Sequence, residues 1–220
     1  MRRFGFIFVA AALLAGCTST TASSARARKD FDSRLPSIRS AALLTLDVKE
    51  YEVSAGGVAE LKEDWSSAAQ RAIQDALASE LKGRQIELRR VEAEPETAEE
   101  IEDLRALSEA VNSSITFPNS SFDYSLGPVS DLVDRYKVDA LVFVWARARL
   151  PTTGRKFVAA LYGSGGAEVG QVAITIVDRS GAVLWFDHRA LVGARGDLQH
   201  AENASALMHA IASDLAPPAK

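Results

Sequence analysis

Between Val138 and Trp145 the chain carries a nearly unbroken apolar run, Val-Asp-Ala-Leu-Val-Phe-Val-Trp. A strand with one wet face alternates polar and apolar residues, whereas a strand covered on both faces does not. The run therefore predicts a central strand deep in a sheet. After Trp145 the pattern changes to alternation, with Ala146, Ala148 and Leu150 set against Arg147 and Arg149. One end of this strand is expected to emerge from the core and show two arginines. Pro151-Thr152-Thr153-Gly154 ends it.

The flanking segments supply what such a strand needs. Leu44, Leu46 and Val48 alternate within 41–53 and predict a first strand, broken by Gly56-Gly57. Leu61, Trp65, Ala69, Ile73, Ala76, Leu77 and Leu81 form a helical stripe over 61–82, with Gly83 as its stop. Residues 84–91 read as a second strand. Thr97 and Glu100 match a capping box that opens a helix carrying Ile101, Leu104, Leu107 and Val111. Its acidic first turn suits the helix dipole better than a cation site. Residues 112–126 read as a polar loop. A short helix after Gly127-Pro128 turns Val129, Leu132, Val133 and Tyr136 inward. Residues 156–162 fit either a strand or a short helix. Residues 171–177 and 182–192 form a hairpin about Asp178-Arg179-Ser180-Gly181. A last helix within 197–215 is stopped by Pro217-Pro218.

This order predicts an α/β fold, a mixed sheet with helices packed on it, as a single domain over 36–216 with a tail at 217–220. The helix before Lys82, the step Tyr136-Lys137-Val138-Asp139-Ala140-Leu141-Val142 and the hairpin from Val177 to Trp185 resemble the α/β domain shared by the amino-terminal part of TolB, by CsgG and by LpoB-type envelope lipoproteins. The likeness is strongest over about the last 85 residues. The long alternating hairpins of a CsgG pore and the propeller repeats of TolB have no counterpart, so neither activity is implied.

The amino terminus has the three parts of an export signal: Arg2-Arg3, an apolar run from Phe4 to Leu14, and small residues before Cys17. The run is too short to span a bilayer. Leu14-Ala15-Gly16-Cys17 resembles the lipobox of bacterial lipoproteins. That resemblance implies cleavage after residue 16, acylation of Cys17 and two or three acyl chains, enough for a stable anchor. Residues 17–35 then read as the lipidated cysteine and a flexible tether, in which Arg26, Arg28 and Lys29 are solvated rather than bound to headgroups. Thr18 follows the cysteine where an aspartate would retain an enteric-type lipoprotein in the inner membrane. The implied location is the cell envelope, at the outer membrane facing the periplasm. Cys17 is the single cysteine of 220 residues, so no disulfide forms within the chain. Cleavage removes Arg2 and Arg3 from 25 basic residues set against 29 acidic ones, giving a net charge of −6. That charge argues against a nucleic-acid partner.

Chemistry is sparse. The Gly163–Gly170 stretch lacks the Gly-Lys-Ser/Thr end of a phosphate loop. His188, His200 and His209 have no metal-ligand spacing, and no Gly-x-Ser-x-Gly elbow exists. No cofactor or metal is expected. Arg147, Arg149 and Arg155 lie around one strand end and make a candidate anion site. The favoured reading is a non-enzymatic accessory lipoprotein, anchored to the membrane and presenting its domain to an envelope protein complex, with the oligomeric state open. An envelope hydrolase using His188 or His200 with acids, and a binder of a small anion, are the alternatives.

Overall fold

The computed structural model describes residues 24–115, 122–162 and 168–215. The signal, Cys17 and residues 163–167 of the glycine-rich stretch lie outside them. In chain order the elements are β1 (Arg26–Ala27), α1 (Phe31–Arg34), β2 (Ser40–Val53), β3 (Ala59–Leu61), α2 (Glu63–Gly83), β4 (Glu87–Arg90), α3 (Ala98–Ile115), α4 (Ser130–Tyr136), β5 (Ala140–Pro151), α5 (Thr153–Tyr162), β6 (Val169–Asp178), β7 (Val183–Val192) and α6 (Ala201–Leu215). The strands form one sheet in the order β1-β7-β6-β5-β2-β3, with β4 also on β2. β2 runs parallel to β5 and β4, and the remaining pairings are antiparallel. The fold is the mixed α/β architecture that the sequence implies.

β5 is the centre. Ala140, Val142, Val144, Ala146 and Ala148 pack on one side with Ile73, Leu77 and Leu81 of α2 and with Leu207, Met208 and Ile211 of α6. Leu141 and Phe143 pack on the other side with Ile101 and Leu104 of α3 and Leu132 and Val133 of α4. Both faces are covered, which explains the missing alternation. α2 carries Glu63 and Asp64 in its first turn and Lys82 in its last, an arrangement the helix dipole favours.

Several local expectations are revised. The tether ends earlier than residue 35. Arg26 and Ala27 pair with Phe186 and Trp185, Arg28 N donates to Leu184 O at 2.9 Å, and Phe31 is buried. The exposed edge of β7 offers unpaired backbone groups that a short polar strand satisfies. Burying the Phe31 ring adds about 2 kcal/mol. Arg26 and Arg28 are engaged in the protein. Arg26 Nη1 donates to Ile115 O at 3.1 Å, and Arg28 pairs with Asp123 at 2.8 Å.

A bulge between Leu43 and Thr45 splits the β2 pattern, so Leu44 joins the α3 and α4 side while Leu46 and Val48 join the other. Leu61 belongs to β3, not to α2. Thr97 Oγ1 bonds Glu94 O and Tyr136 Oη at 3.2 Å each, in place of the expected reciprocal box. α3 continues to Ile115, whose buried side chain holds the last turn against the sheet. Residues 156–162 are helical, within α5.

Candidate functional site

At the end of the sheet where β5 stops, apolar side chains face solvent. α5 buries none of its residues. Phe157, Leu161 and Tyr162 are 65%, 62% and 78% exposed, and Val158 stands beside them. The spacing i, i+4 stacks Phe157 on Leu161 and Val158 on Tyr162, so the four make one apolar face. Parallel pairing of Val53 with Pro151 brings the β2–β3 turn, with exposed Val58, to the same end. Antiparallel pairing of Arg149 with Val169, and of Val169 with Val192, adds two further exposed valines.

A second feature is the hollow beside α3, where the sheet is incompletely covered. It is about 320 Å³ and is lined by Glu109, Asn112 and Ser113 of α3 with Trp145, Gln171, Ala173 and His188 of the sheet. Trp145 is half-buried, and the Arg147 guanidinium stacks 4.9 Å over its ring. Partial burial lowers the His188 pKa from its ordinary value of 6.5, against the opposing pull of Asp187. The shift favours the neutral imidazole. Ser113 Oγ donates to Glu109 O at 3.0 Å, the back-bond of a helical serine.

The three arginines do not converge. Arg147 is held by Asp47, with Nη2 2.5 Å from Oδ2 and Nη1 2.9 Å from the carbonyl. Asp47 also faces Arg105 and Lys49 at 3.8 and 3.7 Å, so this carboxylate already serves as the anion of the cluster. Arg149 is exposed two residues further along the same face. Arg155 sits on α5, towards the turn at Gly57. The histidines are also apart: His200 pairs with Asp197 at 3.3 Å and His209 with Glu80 at 3.1 Å. Among the described residues no group of three metal-ligating side chains is brought together, and no helix is long and apolar enough to cross a membrane.

Two buried carboxylates lie on the opposite side of the sheet. Glu50 is fully buried. It accepts from Leu198 N at 3.0 Å and from Gln199 Nε2 at 3.5 Å, and its own amide donates to Ser66 Oγ at 3.0 Å. Burial raises its pKa to about 7, which Asp197 reinforces and the Leu198 amide opposes. Asp187 is buried against Arg189, which donates to it at 2.7 Å and reaches Asp214 at 2.6 Å. Neither carboxylate carries a motif of its own in the sequence, although continuing the step of two from Leu46 and Val48 lands on Glu50.

No family model matches the sequence, and no curated protein is significantly similar to it. Among the solved structures similar at a low level are two forms of one assembly. A PelC dodecamer from Paraburkholderia phytofirmans in space group P6 has a TM-score of 0.41 and 15% identity over 89% of this chain and 96% of that one. A variant of the same dodecamer in space group C2 has a TM-score of 0.40 and 14% identity over 90% and 99%. At that level nothing about a ligand or partner passes from one chain to the other.

Proposed function

We propose that this chain is a lipid-anchored accessory protein of the bacterial envelope, held at the outer membrane through Cys17 and presenting its α/β domain to an envelope protein complex. The observation that supports a protein partner is the hollow beside α3. It offers a half-buried tryptophan with an arginine stacked on it, ringed by Asn112, Gln171 and His188. Tryptophan and arginine in a partly desolvated recess are the residues on which protein interfaces concentrate their energy. The export signal and the lipobox resemblance support the location, and the negative charge argues against a nucleic-acid partner.

The test is a photo-crosslinking residue placed at Gln171 in cells. A discrete protein adduct is expected from the acylated chain, weakened by Trp145→Ala and by Cys17→Ser. An acylated chain that yields no adduct overturns the reading. The hydrolase alternative rests on His188 sharing the hollow with Glu109 and Ser113. It requires that a serine-directed acylating probe label Ser113 and that His188→Ala abolish the label.

A further inference from the structure

The apolar end of the domain and the heading of its first strand coincide. Arg26 pairs with Phe186, and Ser24 N donates to His188 O at 3.2 Å. Followed backwards, β1 therefore runs alongside β7 towards Val192. Val192 is at the end that carries Val169, the Val58 turn and the bare face of α5. Cys17 is seven residues ahead of Ser24, which gives a reach of at most about 25 Å. The stretch of β7 from His188 to Val192 takes up about 14 Å of it. Reach alone would let the anchor double back to the other end of the sheet. Heading and apolar surface both choose this one.

We infer that this end is the surface the domain lays on the lipid bilayer, with α5 lying in the headgroup boundary as an interfacial helix. The inference rests on the reading of Cys17 as the acylated residue. A bare apolar face of Phe157, Val158, Leu161 and Tyr162, with Arg155 and Lys156 at the helix start, has the composition of helices that lie in the membrane plane. Tyr162 at the last turn carries an apolar ring and a polar tip, as residues at that depth do. Exposed Arg149 adds a further positive charge. Glu168 at this end is paired with Lys156 at 2.8 Å, and the exposed Glu60 shares Lys62 with Glu52. The opposite end, around the turn at Asp178–Gly181, is polar: Arg34 pairs with Asp178, and Arg179 with Asp134. The hollow beside α3 lies on the flank of the sheet and stays open to a partner in this orientation.

The experiment reads depth directly. The full acylated chain carrying Phe157→Trp is placed in vesicles of phosphatidylethanolamine and phosphatidylglycerol, with and without bromine on the acyl chains. The emission added by the new indole is expected to fall at least ~2-fold in brominated lipid, because an interfacial helix buries its apolar face by ~5–10 Å. Ser180→Trp, at the opposite turn, is expected to show no such fall. Tyr162→Trp repeats the measurement should Phe157→Trp fold poorly. Equal quenching at both ends, or none at residue 157 while Cys17 is acylated by mass, overturns the inference. So does emission from the Phe157→Trp chain that shifts to the blue with protein concentration in the absence of lipid, which would assign the face to a second copy. Acylation is weighed on the same sample, so loss of the anchor reading is seen separately. An unacylated chain that is still quenched keeps the helix on the membrane, and one that is not removes both.

Discussion

Replacing Glu50 by glutamine separates the proton linkage of one buried carboxyl from everything else in the fold. Glu50 has an ordinary pKa of 4.5 when the chain is unfolded and about 7 when it is folded, chiefly because burial disfavours its charge. Between these values the folded state binds the proton and the unfolded state does not. Stability is therefore greatest below pH 4.5 as far as this group is concerned, and it is lost as pH rises to 7. At ~1.36 kcal/mol per pH unit the interval amounts to about 3 kcal/mol. Glutamine keeps an oxygen to accept from Leu198 N and carries no titrating proton. Urea unfolding of both chains at pH 5, 6, 7 and 8 measures the difference. The wild type is expected to lose about 2–3 kcal/mol more than Glu50→Gln across that window, with the curves closest at pH 5. His188 has its pKa lowered in the folded state, so it gains stability with rising pH, but it is present in both chains and cancels. Parallel stability curves would refute the linkage.

The pair Asp187 and Arg189 gives a second case. Arg189→Leu leaves Asp187 in the core without its cation and is expected to cost about 3–5 kcal/mol by urea unfolding, whereas adding Asp187→Asn recovers part of the loss. Gly181 has φ +81°, and a Cβ there would lie 1.6 Å from Gly127 O. Gly181→Ala is expected to cost at least ~2 kcal/mol in thermal unfolding. Gly56→Ala, whose Cβ would have no neighbour closer than 3.9 Å, serves as the tolerant comparison.

What the sequence disclosed follows the strength of its periodicities. The run from Val138, the stripe of Ile73, Leu77 and Leu81, and the hairpin about Gly181 each bury a whole face, so composition records the burial. β1 could not be read in this way, because two residues have no period and the strand exists through the edge of β7. α5 was ambiguous for a related reason. Its apolar residues meet no core, so nothing in the rest of the chain chose helix over strand for them. The arginines emerge from the sheet as expected but do not converge, because Arg147 is taken up by Asp47, which no local pattern announces as its partner.

The pairing of β1 with β7 also sets how the domain bears load. Tension applied to the chain ahead of Ser24 acts along the axis of β1, in line with the sheet. The backbone hydrogen bonds to Leu184 and His188 are then sheared together rather than peeled in turn, and Phe31 must leave the core before the strand can slide. A pull on the residues ahead of Ser24 thus meets the β7 pairing and the buried Phe31 ring at once, and a chain lacking Phe31 would resist it less.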